Sequence, residues 1–335
     1  MVDRNGSRPD ETSEELAELS YAGIQTFLKS ETCAVDELHD GIDIAVLGVP
    51  FDGAVTRRPG ARFGPAAVRA ASGWYAYLGN YKGGVLNVET DRVVSYDGLT
   101  VRDCGDVDTV PTSIGRTRPR IEAAVEVAAS SSFPVLLGGD HYVTYPSYLG
   151  FARAMAEPVG VIQIDAHTDT VDSSPLHGEH FHGSPMARID ESEYGSYENH
   201  AMIGIRAYEG PEFATIEEER DLHVSYASDV DERGIESCVR DAIDHVTDGV
   251  DHVYLTVDID GVDPSFAPGT GTPEPGGLTS GDLLQAMDLL GQCDEIGMVD
   301  MMEVAPKLDP TESTQRLAAN ALVRFIESKF LKDMA

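Results

Sequence analysis

Positive charge is scarce in this sequence: 24 lysine and arginine residues stand against 58 aspartate and glutamate residues, giving a net charge of -34. No lysine occurs between Lys82 and Lys307. A chain with this charge repels nucleic acid and anionic membranes, so we expect neither as a partner. The acidic residues are spread along the chain, which favours a solvated, halophilic surface suited to concentrated salt. If stability and activity proved indifferent to molar salt, this hypothesis would be wrong.

Cysteine pairs and long apolar runs are also missing. The four cysteines are far apart in sequence and form no CxxC pair, which favours isolated, reduced thiols over disulfides or a zinc-thiolate site. No apolar stretch reaches the ~20 residues that span a bilayer. The first residues are acidic and polar and lack the apolar centre of a signal peptide. We therefore expect a cytoplasmic protein.

Short runs rich in Val and Ile alternate with longer amphipathic stretches, and 41% of the residues are hydrophobic. The short runs predict strands at 42–49, 99–104, 134–139, 160–165, 201–206, 223–228, 252–260 and 296–304. The stretches between them predict helices at 64–72, 116–130, 145–156, 212–219, 233–247, 279–291 and 312–331. Because several strands are apolar on both faces, the pattern predicts an α/β fold, one doubly wound α/β/α sandwich around a parallel sheet.

The chain shows no repeat and no linker that would divide it into several domains. We expect a single domain over residues 41–335, in front of which residues 1–40 form an extension. This extension is expected to pack on or between subunits, with a short helix near residues 13–20.

Ionisable residues follow three of the predicted strands. They are Asp140 and His141, then Asp165, His167 and Asp169, then Asp258 and Asp260. In open parallel sheets ligands collect beyond the carboxyl ends of the strands, and residues two apart on an extended chain point the same way. The four carboxylates of Asp165, Asp169, Asp258 and Asp260 would converge in a buried cleft with no lysine nearby, an arrangement that requires bound cations. Asp140 is expected only to cap the Gly138-Gly139 turn or bond main-chain amides there.

The other six residues suit two divalent ions that share bridging carboxylates. A set of four carboxylates and two imidazoles without a thiolate favours Mn²⁺, while Ni²⁺, Co²⁺ and Fe²⁺ remain possible. Two such ions would generate a hydroxide nucleophile near neutral pH.

These residues resemble the ureohydrolase family, which comprises arginases, agmatinases and their relatives that hydrolyse guanidino groups. The matching motifs are GGDH (138–141), DAHTD (165–169) and DIDGVDP (258–264), with further matches at 48–72, 265–277 and 298–310. The AGIQTFL (22–28) and APGTGTP (267–273) segments are more like agmatinases than arginases. The resemblance covers roughly residues 22 to 330. It implies a three-layer α/β/α domain with an eight-stranded, mainly parallel sheet, two Mn²⁺ per subunit, and a homotrimer or homohexamer.

The resemblance also implies which residues hold each ion. One ion would be bound by His141, Asp165, Asp169 and Asp258. The other would be bound by His167, Asp165, Asp258 and Asp260. Asp165 and Asp258 would therefore bridge the two ions.

Further residues match positions that act on the substrate in the family. Glu303 matches a glutamate that pairs with the guanidinium, and Thr272 matches a threonine beside the reacting group. The proton-transfer histidine of the family precedes a glycine, a pattern that both His177-Gly178 and His182-Gly183 fit. The Ser-Pro-Met that follows favours His182, whereas His177 and His180 are expected to be solvated loop residues.

Guanidinium is resonance-stabilised and permanently charged, so its hydrolysis needs a nucleophile stronger than water and a group that holds the cation. The expected reaction is attack of the hydroxide on the guanidino carbon while Glu303 pairs with the nitrogens. Asp169 would accept the hydroxide proton, and Asp169 or His182 would protonate the leaving amine.

The identity of the substrate is less well determined. The loop 170–182 contains Asp172 and Glu179 and no basic residue, which favours a substrate with a second positive charge, namely agmatine cleaved to urea and putrescine. Because Arg206 could reach a carboxylate, arginine, guanidinobutyrate, guanidinopropionate, formiminoglutamate and free guanidine stay open. Two remote alternatives are a single-zinc amide hydrolase of the deacetylase type and a non-catalytic metal-binding protein.

Overall fold

The computed structural model describes residues 19–76, 85–89, 91–96 and 98–331. Its main sheet has nine strands, all neighbours parallel, in the spatial order β1-β5-β2-β6-β11-β10-β7-β8-β9. These strands are β1 (Glu31–Thr32), β2 (Ile44–Gly48), β5 (Val101–Asp106), β6 (Phe133–Leu137), β7 (Val159–Ile164), β8 (His200–Ile205), β9 (His223–Tyr226), β10 (His252–Asp258) and β11 (Ile296–Met302). A separate antiparallel pair is formed by β3 (Val85–Asn87) and β4 (Arg92–Val94).

Helices cover both faces of the main sheet. They are α1 (Gly64–Ala76), α2 (Ile114–Ala129), α3 (Thr144–Met155), α4 (Pro185–Asp190), α5 (Glu212–Glu219), α6 (Ala227–Arg233), α7 (Ile235–Thr247), α8 (Ser280–Leu290) and α9 (Ser313–Phe330). Among the described residues, none of these helices combines the length and apolar character needed to cross a membrane.

The three layers arise because the strands carry apolar side chains on both faces of the sheet. On β2, Ile44 and Val46 belong to one buried cluster, with residues of α1 and α6–α9, whereas Ala45 and Leu47 belong to a second cluster with residues of α2–α5. Successive side chains of a strand point to opposite faces, so a strand that is apolar throughout must be covered on both sides. The predicted three-layer α/β/α fold is therefore confirmed.

All eight predicted strands are present, and the details differ in a few places. The ninth strand, β1, was not predicted because its two residues are polar and exposed. The strand predicted at 223–228 ends at Tyr226, where α6 begins, and the helix predicted at 233–247 corresponds to α7. Gly234, whose φ of 83° breaks the helical path, separates α6 from α7. The helices α4 and α6 and the β3–β4 pair were not predicted.

The amino-terminal segment joins the sheet before the predicted domain boundary. Phe27 is fully buried in the core, and β1 pairs with β5. Residues 1–18, with most of the helix expected at 13–20, lie outside the described residues. The domain division at residue 41 stays a prediction.

All four cysteines, Cys33, Cys104, Cys238 and Cys293, are free in the structure. However, the pairing of β1 with β5 brings the sulfur atoms of Cys33 and Cys104 to 3.7 Å. The prediction of free thiols is therefore confirmed, whereas the expectation that all four are isolated is wrong for this pair.

Acid is expected to destabilise the fold through His200, the first residue of β8. Burial lowers the pKa of His200 to about 3, and the nearby His245 adds to the shift. The ordinary pKa of histidine is 6.5. Between pH 6.5 and pH 3, His200 binds a proton in the unfolded chain but not in the folded chain, so the free energy of unfolding falls as the pH drops. The loss at about pH 5 is on the order of 2 kcal/mol. His200→Phe, which keeps an aromatic ring stacked on Tyr197, should remove this part of the loss.

The measurement is the melting temperature of wild type and variant near neutral pH and at about pH 5. His39→Gln serves as a control because His39 is exposed. An equal fall in melting temperature for wild type and His200→Phe would contradict the assignment.

Candidate metal centre

Four neighbouring strands, β6, β11, β10 and β7, deliver the predicted site residues to one edge of the sheet. Asp165 directly follows β7, Asp258 is the last residue of β10, and Glu303 directly follows β11. The register pairs Asp258 with Met302 and Val257 with Ile164, so the three strands end at the same level. His141 begins a 3₁₀ turn after β6. Parallel strands that end together bring together side chains that are far apart in sequence.

The first group of candidate ligands surrounds His141. Its Nδ1 lies 3.0 Å from Asp165 Oδ2, 2.8 Å from Asp169 Oδ2 and 3.3 Å from Asp258 Oδ2. Nδ1 nevertheless makes no hydrogen bond of acceptable geometry to any described residue. Adjacent ligands of an octahedral ion with bonds of about 2.1 Å lie about 3 Å apart, so this spacing fits donors arranged around a cation.

The second group surrounds His167. Its Nδ1 lies 3.2 Å from Asp260 Oδ2 and 3.6 Å from Asp165 Oδ1. Asp165 thus presents one oxygen to each histidine, as a bridging carboxylate would. In the described part of the chain, two groups of three such side chains are close enough to hold an ion. They are His141, Asp165 and Asp258, and Asp165, His167 and Asp260.

The electrostatics of the site also fit cations. Burial, reinforced by neighbouring carboxylates, raises the pKa values of Asp258 and Asp260. Carboxylates crowded in this way ionise together only when positive charge lies among them. The donors are oxygen and imidazole nitrogen with no thiolate in either group, a set that suits Mn²⁺ and neighbouring divalent metals.

Glu303 is buried beside the metal-ligand groups. Its Oε1 accepts hydrogen bonds from the main-chain N–H of His141 at 3.0 Å and from His182 Nδ1 at 2.9 Å. Its Oε2 is buried and has no partner among the described residues. A Cβ added to Gly271 would stand 3.6 Å from this oxygen and only 2.8 Å from the carbonyl oxygen of Arg58. Glycine at 271 therefore keeps the space next to Oε2 open.

Asp169 and Glu303 both have left-handed backbone conformations, with φ of 53° and 59°. Such a conformation costs a non-glycine residue on the order of 1–2 kcal/mol. In both cases the unfavourable backbone accompanies a carboxylate that is directed into the site.

His182, rather than His177 or His180, contacts Glu303. The main-chain N–H of Thr56 donates to His182 Nε2 at 3.1 Å, so in the neutral ring the proton is on Nδ1 and is donated to Glu303. Burial alone would lower the pKa of His182, but Glu303 outweighs it and raises the value to about 9. When Nε2 is protonated it can donate to Thr56 Oγ1, which lies 2.7 Å away. Both protonation states therefore have a partner.

The other two loop histidines lie elsewhere. His177 Nδ1 is 3.2 Å from Ser174 Oγ, and its exposed ring stacks on Phe181. His180 Nδ1 is 2.9 Å from the hydroxyl of Tyr142. Neither interaction includes a residue of the two metal-ligand groups or Glu303.

Asp140 lies deeper than the sequence suggested. It is fully buried, and its Oδ2 accepts the main-chain N–H of Ala54 at 2.7 Å, not an amide of the Gly138-Gly139 turn. Burial, reinforced by Glu303, raises the pKa of Asp140 to about 8. Ala54 in turn accepts the main-chain N–H of His182 through its carbonyl oxygen. Asp140 thus anchors the segment against which His182 packs.

That segment, residues 49–60 between β2 and α1, contributes contacts that sequence reasoning did not assign. Besides Thr56, it supplies Arg58, whose guanidinium donates to the carbonyl oxygens of Thr270 and Gly271 at 2.9 and 3.1 Å. Its only sequence signal was its place within the matching stretch 48–72. Thr272, two residues beyond Thr270, donates to Asp260 Oδ2 at 3.0 Å.

Arg206 is not free to receive a carboxylate. Its guanidinium donates to four main-chain carbonyl oxygens, those of Gly204, Asp260, Gly261 and Glu274. An arginine whose N–H groups are all engaged in this way holds two loops together. Arg206 is therefore not available to bind a substrate carboxylate, which was the main argument against a positively charged substrate.

A parallel α/β sheet with paired carboxylate–imidazole groups at its carboxyl edge is typical of metal-dependent hydrolases. Comparison with known proteins specifies the class. The Arginase family model matches residues 42–327. The chain is 36% identical to an agmatinase of Chromobacterium violaceum over 90% of this chain and 88% of that protein. It is 32% identical to a guanidinopropionase of Pseudomonas aeruginosa over 91% of this chain and 92% of that protein.

Solved structures agree with this result. The proclavaminate amidinohydrolase of Streptomyces clavuligerus superposes with a TM-score of 0.80 at 29% identity, covering 93% of this chain and 99% of that one. The chain belongs to the arginase family and is a metal-dependent ureohydrolase. The two remote alternatives, a deacetylase-type amide hydrolase and a non-catalytic metal-binding protein, are thereby set aside.

Proposed function

We propose that this protein is an agmatinase, hydrolysing agmatine to urea and putrescine. The observation that carries the guanidinium part of the proposal is the unpaired, buried Oε2 of Glu303 beside the open space at Gly271. A buried carboxylate oxygen without a partner is stabilised by a donor, and a planar guanidinium supplies a charged one with matching geometry.

Two Mn²⁺ ions per subunit are part of the proposal. One would be held by His141, Asp165, Asp169 and Asp258, and the other by His167, Asp165, Asp258 and Asp260. When bound, such ions supply a hydroxide nucleophile near neutral pH. Ni²⁺ or Co²⁺ would suit the same donors. A trimeric or hexameric assembly and a cytoplasmic location stay predictions.

The chain itself binds, orients and transfers protons. Glu303 fixes the guanidinium through Oε2 while His141 N–H and His182 Nδ1–H hold Oε1, so the carboxylate cannot rotate away. Asp169, whose Oδ2 lies 2.8 Å from His141 Nδ1, would accept the proton lost by the nucleophile. His182 holds a proton on Nδ1 and can take a second on Nε2, which suits it to protonate the leaving amine.

The surroundings of the site favour a cationic substrate tail. Arg206 and Arg58 are engaged by main-chain carbonyls. On the loop 170–182, Glu179 is exposed, and Asp172 is paired with Arg188 through a side chain that remains 78% exposed. A substrate ammonium group would meet carboxylates in this region.

One observation favours a second candidate, a guanidino acid such as guanidinobutyrate or guanidinopropionate. Arg57 is exposed and adjoins Thr56, which contacts His182. An anionic tail that reached this side of the opening would find a cation there. A relative of this chain, the guanidinopropionase of Pseudomonas aeruginosa, is named for a substrate of this kind.

A urea-release panel tests the proposal. Agmatine, arginine, guanidinobutyrate, guanidinopropionate and guanidine would be assayed with Mn²⁺ and with Ni²⁺ at low and high salt, with formiminoglutamate followed by formamide release. We expect kcat/KM for agmatine to exceed every other value by at least about 10-fold, a difference of 1.4 kcal/mol. Arg57→Gln should leave agmatine turnover within about 2-fold. Turnover of a guanidino acid but not agmatine, lost in Arg57→Gln, would refute agmatinase activity and support the second candidate.

A further inference from the structure

A chain of hydrogen-bonded, buried polar side chains lies within the sheet and leads to the metal-ligand groups. Asp300 stands in the middle of β11 between Val299 and Met301, both buried hydrophobic residues. It is itself fully buried, and no arginine, lysine or histidine side chain forms an ion pair with it among the described residues. A lone carboxylate in such surroundings carries a desolvation cost that the fold must offset.

The offset comes from hydroxyl and amide donors. Asp300 Oδ2 accepts hydrogen bonds from Thr144 Oγ1 at 2.8 Å and from the hydroxyl of Tyr254 at 2.6 Å. Its Oδ1 accepts the main-chain N–H of Val257 at 3.3 Å. Burial raises the pKa of Asp300, and the hydroxyl donors act against this shift by stabilising the ionised form. An ionised carboxylate only accepts hydrogen bonds, so when Asp300 is ionised each of these protons points towards it.

The chain extends from Asp300 to His141. Thr256 Oγ1 lies 3.3 Å from Thr144 Oγ1 and 2.9 Å from His141 Nε2. Because Thr144 gives its proton to Asp300, it can accept the proton of Thr256. Thr256 can then accept the Nε2–H of His141. With Asp300 ionised, the arrangement in which all three hydrogen bonds are made has one direction, from the imidazole to the carboxylate.

This direction determines which nitrogen of His141 is free. A neutral imidazole carries one proton, and a proton on Nε2 leaves the lone pair on Nδ1. Nδ1 is the atom that faces Asp165, Asp169 and Asp258 at 2.8–3.3 Å. Hydrogen bonds to the second nitrogen of a metal-binding histidine fix its tautomer and typically change metal affinity 10–100-fold.

We propose that Asp300, acting through Thr144 and Thr256, is a positioning group that holds the His141 ring proton on Nε2 and so keeps Nδ1 available for one of the two metal ions. The inference rests on the proposed two-metal site. It assigns to one ion a dependence that the other lacks, because among the described residues the hydrogen bonds of this chain lead to the His141 ring and not to the His167 ring.

Thr256→Val tests the inference, since valine has the shape of threonine without the hydroxyl. Metal-free protein would be titrated with Mn²⁺ by calorimetry, and metal content checked by mass spectrometry. We expect one site to weaken 10–100-fold while the other keeps its affinity, with kcat recovering at saturating Mn²⁺. Thr256→Ser, which restores the hydroxyl, should bind as wild type, and Asp300→Asn should weaken the same single site.

Thr117→Val is the matched control, because Thr117 is a buried threonine on α2 whose hydroxyl bonds only main-chain groups. It should leave both sites unchanged. Wild-type affinity at both sites of Thr256→Val, or equal weakening of both, would overturn the inference while the two-metal proposal stands. A wild-type protein that bound fewer than two ions would overturn both.

Discussion

An Asp258→Asn variant is expected to lose both bound metal and turnover. Asp258 Oδ2 lies 3.3 Å from His141 Nδ1, and its Oδ1 accepts the main-chain N–H of Asp260. If Asp258 bridges the two ions, asparagine removes a negative charge from both and directs an amide N–H₂ at one of them. Metals contribute several kcal/mol to the stabilisation of a transition state, so kcat should fall on the order of 10³-fold or more.

Metal content by mass spectrometry and urea release from the same samples measure this result. Asp241→Asn makes the same charge change on the surface of α7, where the half-exposed Asp241 side chain pairs with Arg233, and should leave both quantities unchanged. Full retention of two ions and of turnover in Asp258→Asn would contradict the bridging role.

A Glu303→Gln variant is expected to keep its metal and lose activity. Glutamine has the same size and still offers an oxygen to His141 N–H and His182 Nδ1–H, but it carries no charge to pair with a guanidinium. Removing one member of a buried, hydrogen-bonded charge pair costs about 2–5 kcal/mol, so kcat/KM should fall on the order of 10²–10³-fold.

Parallel metal analysis separates this effect from that of Asp258→Asn, because the Glu303 carboxylate belongs to neither group of candidate ligands. The left-handed backbone at 303 is carried equally by glutamate and glutamine, so the variant adds no new backbone strain. Retention of kcat/KM within about 3-fold of wild type would remove Glu303 from guanidinium recognition.

The two expected phenotypes divide the site into two functions. Asp258 belongs to the groups that would hold metal, whereas Glu303 lies next to them, outside both groups, and has an unpaired oxygen that would pair with a guanidinium. The link between the two is the main chain of His141, whose N–H holds Glu303 Oε1 while its ring faces the ligand carboxylates. His141 thus fixes the position of Glu303 relative to the candidate metal ligands.

Local sequence was sufficient for the layered fold and for the six candidate ligands. The apolar strands reveal their two-sided burial through composition alone, and Asp165, His167 and Asp169 follow one another within five residues. Both signals are short-range, because strand period and motif spacing depend only on neighbours along the chain.

Other features depended on the tertiary fold. Thr56 and His182 are 126 residues apart, and His182 and Glu303 are 121 apart, so no periodicity links them. The same holds for the engagement of Arg206 by main-chain carbonyls and for the path from Asp300 to His141. These contacts arise because parallel strands distant in sequence end at one edge of the sheet. Which donor meets which acceptor there is set by packing in three dimensions, and a linear pattern does not encode it.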